Sequence, residues 1–144
     1  MPSAVFYRPI DGAILGLVQT SDSASLLLNA TTDRRMILVS ETHPIWTAQH
    51  QWRVDPGAAQ LERKTQVVLT ADKPVFLADG VDTVRITATG LTGPASARVR
   101  PDDRWVAFAP IDPVLQITAD TPKRFIVQIQ DERYWSDPVV VEAV

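Results

Sequence analysis

His43 and His50 are the only histidines in the chain, and Glu41 lies two residues before the first. Imidazole and carboxylate are zinc-ligand types. A catalytic zinc, however, takes three protein ligands and an open position, and Pro44 breaks any helical register between these two histidines. A loop role is the expectation. Asp79 and Asp82 flank Gly80-Val81. Two carboxylates so close could help hold calcium, but calcium takes roughly six to eight oxygens and the others are not visible. The expected alternative is a turn in which Asp79 accepts backbone N–H bonds and Gly80 supplies a positive φ. Asp102-Asp103 and Asp131-Glu132 read as solvated turn charges. Acyl transfer would call for a Gly-x-Ser-x-Gly elbow, and phosphate binding for a Gly-rich loop ending in Lys-Ser or Lys-Thr. Neither pattern occurs. The expectation is a chain with no catalytic residues, no cofactor and no bound metal.

The chain has four tryptophans. Trp105 lies in an alternating run and is expected in a core. Trp135 follows Tyr134 just before the last apolar run, where the pair would plug the end of a sheet sandwich. Trp46 and Trp52 sit in a proline-interrupted stretch near His43, Gln49 and His50. Burial is the ordinary fate of an aromatic ring. The other reading is a contact surface, because Trp offers large rigid area at interfaces. Trp46, Trp52 and Trp135 are the candidates for partner contact, and equally for a shallow sugar-binding groove.

The elements that would position these residues are short. Eleven prolines stand against six glycines in 144 residues. Proline cannot donate to a hydrogen-bond ladder, so this balance predicts short strands and rigid connections. Apolar residues make up 45% and charged residues 22%, enough for a packed core. The net charge is −3, with six basic and six acidic side chains in residues 1–64 and eight and eleven in residues 65–144. Arg98, Arg100 and Arg104 cluster, but Asp102 and Asp103 lie among them, so no nucleic-acid partner is expected. Without cysteine there is neither a disulfide nor a thiolate site. No apolar run is long enough to span a bilayer, and the opening segment through Pro9 lacks the pattern of a secretion signal.

Ala4–Tyr7 and Ala13–Thr20 are apolar runs on either side of Pro9-Ile10-Asp11-Gly12, which predicts a β-hairpin. Ser21-Asp22-Ser23 provides caps for a short helix from Ser23 to Ala30. Met36–Val39 has strand length. Gln49–Val54 alternates, and Asp55-Pro56-Gly57 predicts a turn back into Gln60–Arg63. Residues 1–63 thus read as a small antiparallel β module with one short helix. From Lys64 onward the rhythm changes. Short apolar runs recur between turn residues: Thr65–Leu69, Val75–Leu77, Val84–Ala88, Ala95–Val99, Arg104–Phe108, Val114–Ile117, Phe125–Ile129 and Val139–Val141. Seven or eight strands with turns at this spacing predict an antiparallel sandwich over residues 64–144.

The stretch from Lys64 to Thr87 resembles the opening of a bacterial Ig-like domain of the invasin and intimin type. There a strand leads into an Ala-Asp-Gly-x-Asp turn, present here as Ala78-Asp79-Gly80-Val81-Asp82, and on to a strand of Thr and aliphatic residues. The chain is also similar to small bacteriophage tail proteins in which a short N-terminal β-rich module precedes such a domain. Ile117–Val127 matches their Thr, Asp-x-Pro-Gly and aromatic-strand pattern, with Lys123 in place of the usual glycine. Pro138–Ala143 matches the closing strand. The resemblance covers residues 64–143. It implies an Ig-like sandwich in a non-enzymatic virion component in the tail, baseplate or fibre region, synthesised in the host cytoplasm. Its partners would be other virion structural proteins in symmetric copies, with neither membrane nor nucleic acid bound. A capsid decoration protein and a module binding a surface glycan remain open as alternatives.

Overall fold

The computed structural model describes residues 2–22, 31 and 33–144. The chain is mainly β and divides into two compact units, Met1–Lys64 and Thr65–Val144. The helix expected over residues 23–30 lies outside the described residues. Among the described residues, no helix is long and apolar enough to cross a membrane.

In the first unit, β1 (Ser3–Tyr7) pairs antiparallel with β2 (Ile14–Gln19) on one side and β3 (Arg35–Leu38) on the other. The central position of β1 explains its composition. All five of its residues are buried, because a middle strand covered on both faces has no polar side. Val5 and Tyr7 pack with Ile45 and Val54, while Ala4 and Phe6 pack on the opposite face with Val18 and Met36. Two 3-10 turns, Pro44–Trp46 and Gln49–Gln51, lead into the hairpin of β4 (Trp52–Asp55) and β5 (Gln60–Arg63). The alternation of Gln49–Val54 therefore holds for the strand from Trp52 only. Before it, the Gln51 N–H closes on the Ala48 carbonyl.

Gly12 joins the first hairpin to β4. Its φ is +75°, and the Val54 N–H donates to its carbonyl at 3.1 Å. A Cβ at this position would stand 1.8 Å from the Val54 carbonyl oxygen. Arg8 and Asp11 pair across the same turn, and the Asp11 carboxylate also accepts the Ala13 N–H.

The second unit is a mainly antiparallel β-sandwich. Its strands are β6 (Thr65–Gln66), β7 (Val68–Ala71), β8 (Val75–Phe76), β9 (Val84–Thr89), β10 (Ala95–Arg100), β11 (Arg104–Phe108), β12 (Val114–Ile117), β13 (Lys123–Ile129), β14 (Tyr134–Trp135) and β15 (Val139–Ala143). One sheet runs β12-β9-β7 and the other β11-β10-β13-β15-β8. One core lies between the sheets, built from Val84 and Ile86 of β9, Ala97 and Val99 of β10, and Phe125 and Val127 of β13. Strand alternation produces it: β9 and β10 both read buried-exposed or buried-intermediate along their length.

The expected strand Thr65–Leu69 is broken. At Val67, which is buried, the chain changes partner. β6 pairs parallel with β14, the Val67 N–H donates to the Trp135 carbonyl, and β7 then pairs with β9. β14 is an element that alternation could not announce, because it is two residues long.

Replacing Gly12 by alanine should lower the stability of the first unit by about 1–3 kcal/mol for the backbone conformation alone, with the clash against Val54 adding to it. Urea unfolding, followed through the amides of Ser3–Tyr7 and Trp52–Asp55, measures this. Wild-type stability of the variant would show that this turn does not hold the hairpins together.

Candidate functional site

The turn from Ala78 to Thr83 is held by its own carboxylates. Asp79 Oδ1 accepts the Val81 and Asp82 N–H groups at 2.9 and 2.7 Å. Asp82 Oδ2 accepts the Leu77 N–H at 2.8 Å, and its Oδ1 accepts from Lys73 Nζ at 2.6 Å and the Thr83 N–H at 3.0 Å. Gly80 has a φ of +75°, and its N–H donates to the Ala119 carbonyl. The backbone N–H groups of Asp82 and Val81 hold the Asp79 carboxyl below its ordinary 3.8. The Lys73 ammonium and the Leu77 N–H do the same for Asp82. Bonds to the charged form lower a pKa in this way. The carboxylates of Asp79 and Asp82 thus bind the backbone of their own turn, with Gly80 at positive φ, which is the arrangement expected from Asp-Gly-x-Asp.

Three members of the other acidic pairs are also engaged. Asp103 pairs with Arg98, and Asp102 with Lys123 at 3.2 Å. Asp131 accepts the Ser96 and Arg133 N–H groups at 3.0 and 2.9 Å. Asp102 and Asp103 are exposed turn charges, as expected, that also pair with basic side chains, and Asp131 caps backbone N–H groups. Among the described residues, no group of three or more His, Asp or Glu converges as a metal site would need.

His43 is a capping residue. Its Nδ1 accepts the Ile45 N–H at 3.1 Å at the head of the first 3-10 turn. Its ring meets Trp52 edge-on, with centroids 4.7 Å apart. The Arg63 guanidinium lies 5.2 Å from the centroid of the same indole. Trp52 and Trp46 are half-buried against the Val5–Tyr7–Ile45–Val54 core, and Trp46 Nε1 donates to the Ser40 carbonyl at 2.9 Å. Trp135 is half-buried on β14. Tyr134 beside it is buried, with its hydroxyl 2.9 Å from Thr92 Oγ1. The three tryptophans put forward for partner contact thus belong in part to cores. Trp46 and Trp52 share the first unit, and Trp135 lies in the second.

Trp105 corrects an expectation. It is not in the core: 55% of it is exposed. Strand parity is the reason. Phe108 and Val106 of β11 point inward, so Trp105 and Ala107 point outward. Opposite residues of an antiparallel pair share a face, and Trp105 stands opposite Arg98. The Arg98 guanidinium lies 5.9 Å from the Trp105 centroid. A usable signal was present. Ala95, Ala97 and Val99 mark the inward side of β10, and folding the hairpin back over Pro101-Asp102-Asp103 sets Trp105 against Arg98.

The outward face of the five-stranded sheet can be read row by row from the pairing. Trp105, Arg98 and Gln128 form one row. Arg100, Ile126 and Val140 form the next, and Arg124, Glu142 and Val75 a third. Val75 and Val140 are 46% and 37% exposed. This face carries three arginines and no lysine.

No family model matches the chain, and no curated protein matches it. A solved structure of a glycosyl hydrolase family 2 member from Bacteroides cellulosilyticus is similar at a TM-score of 0.33 and 12% identity. The match covers 99% of this chain, which spans 23% of that enzyme. A likeness of this size carries no argument about activity.

The two lowered carboxyls set a pH dependence. Each favours the fold in its charged form, so its contribution is complete above the unfolded value near 3.8. That contribution is lost as the pH falls through the lowered folded values. The unfolding midpoint of the second unit should therefore drop below about pH 4. The drop should be smaller in Asp79→Asn and Asp82→Asn, and added calcium should leave the midpoint unchanged. An unaltered acid limb in both variants would remove these carboxylates from the account.

Proposed function

We propose that the chain is a non-enzymatic structural component of a tailed-bacteriophage virion. In this reading it acts in the tail, baseplate or fibre region as a connector, through protein–protein contacts. The observation that carries the contact role is the outward face of β11, β10, β13, β15 and β8. Interfaces are enriched in Trp and Arg and depleted in Lys, and Trp105, Arg98, Arg100, Arg124, Ile126 and Val140 have that composition. The phage assignment is supported by the resemblance over residues 64–143, with the Ala78–Asp82 turn as its best-defined feature. Three-fold or six-fold neighbours are compatible with a small module of this kind.

A sugar-binding reading is favoured by one observation. The exposed ring of Trp105 has the Arg98 guanidinium over it and Gln128 next along the row, a stacking plane beside planar hydrogen-bonding groups. In that case glycan binding would be lost in Trp105→Ala with folding intact.

Immunogold electron microscopy of purified particles, with antibody against residues 64–144, tests the main proposal. Gold on the tail or its tip is the expected result. Gold over the capsid would make the chain a head decoration protein. Its absence from particles by mass spectrometry would overturn the virion assignment.

A further inference from the structure

β11 is the longest of the four strands that end the two sheets of the second unit, at five residues against four for β7 and β12 and two for β8. The direction of its free backbone groups follows from β10. The Gln130 N–H donates to the Ser96 carbonyl, and the Ser96 N–H donates to Asp131, so the backbone polar groups of Ser96 face β13. Ala95, Ala97 and Val99 consequently face β11, where they stand opposite Phe108, Val106 and Arg104. Backbone direction alternates along a strand, so the N–H and C=O of Trp105 and Ala107 point away from the sheet.

Natural edge strands are usually blunted by lysine, internal proline, a bulge or brevity. β11 reads Arg-Trp-Val-Ala-Phe, and its pairing with β10 runs without a register shift. Its one charge is Arg104 at the first position, so from Trp105 to Phe108 it presents an uncharged ladder with a large apolar ring beside it. The charges at its two ends are complementary. Arg104 opens the strand and is exposed. Asp112 stands just past its end, in a turn where Ala109 and Asp112 exchange backbone bonds of 3.2 and 3.0 Å. Neither side chain has an ion pair among the described residues.

We propose that β11 is a homotypic docking edge, which pairs antiparallel with β11 of a second copy about a two-fold axis beside Val106. Trp105 of each copy then stands opposite Ala107 of the other, and both outward ladder groups are satisfied. The small Ala107 side chain leaves room for the neighbouring indole. The same axis brings Arg104 of each copy to the end of the strand where Asp112 of the other stands. Two five-stranded sheets become one of ten strands. An isologous contact of this kind closes on itself and does not propagate. The inference is independent of the virion assignment, since it concerns the isolated chain.

Sedimentation velocity of the full chain tests it over a range of concentrations. A contact through one five-residue strand edge should fall below the roughly 1,200 Å² at which stable interfaces begin, so dissociation is expected on the order of 0.1 mM. Arg104→Asp and Asp112→Arg should each weaken the dimer about tenfold by placing like charges together. The double exchange, Arg104→Asp with Asp112→Arg, should restore it. Amide exchange at Trp105 and Ala107 should slow as concentration rises. Because the chain has no cysteine, the paired substitutions Trp105→Cys and Ala107→Cys should cross-link two copies under oxidation. A chain that stays monomeric at about 1 mM would overturn the proposal and leave the edge to a foreign strand. A dimer indifferent to both charge reversals would overturn it too, by placing the contact elsewhere.

Discussion

The alternation along β10 is the constraint on which the second unit depends. Ala95, Ala97 and Val99 turn into the core, while Ser96, Arg98 and Arg100 turn out. These inward residues are small or β-branched, so the facing sheet can approach and bring Val84 and Ile86 against them. β10 is also an interior strand of the five, paired with β11 and β13. Its parity therefore sets theirs: Val106 and Phe108 go inward with it on one side, Val127 and Ile129 on the other. A register slip of one residue would turn three arginine-bearing rows into the core. The exposure of Trp105 is a consequence of this constraint.

Where the chain leaves the ladders, side chains satisfy the backbone in their place. Ser136 is fully buried, yet its Oγ accepts the Ile129 N–H at 2.8 Å where β13 runs out. Asp131 takes the Ser96 N–H, Asp72 takes the Arg85 N–H, and Asp79 and Asp82 together take four. Tyr134 serves the turn at Thr92, whose N–H and hydroxyl both lie within reach of its phenol. Buried or half-buried backbone groups must find such partners. Several polar residues whose types suggest chemistry are thus engaged in holding the fold's short connections. The same holds for His43, whose Nδ1 is spent on Ile45.

Much of this architecture is legible in the sequence, for reasons that can be traced to particular residues. The hairpin through Gly12 and the turn at Asp79-Gly80 are announced by residue types that few other conformations accommodate. The sandwich is announced by the recurrence of short alternating runs. The central position of β1 is not visible, because a strand buried on both faces looks like any apolar run. The change of partner at Val67 escapes for a similar reason: Thr65–Leu69 carries one continuous β pattern, and the switch is set by the distant Trp135 carbonyl. Trp105 is misread when its strand is taken alone, since Trp105 and Phe108 are both large and differ in parity. The strand acquires its orientation only when paired with β10. As for the candidate contact residues, Trp46 and Trp52 are recognisable as a pair, but nothing local reveals that they flank Val5 and Ile45.

The second unit leaves one side of its five-stranded sheet little constrained by its own folding. Its inner face is filled, its turn carboxylates are bonded to backbone, and its N-terminal strand is tied to β14. Among what the fold leaves open are the arginine-rich outer face of β10 and β13 and the unpaired side of β11. A sheet with a free edge offers backbone donors and acceptors at ladder spacing and rigid apolar area beside them. Those are the elements of recognition by strand pairing. In such recognition affinity comes from the backbone, while specificity comes from whatever flanks it. Here the flanking groups are Trp105, Arg104 and Asp112, so the selectivity of this edge rests on a single ring and the sign of two charges.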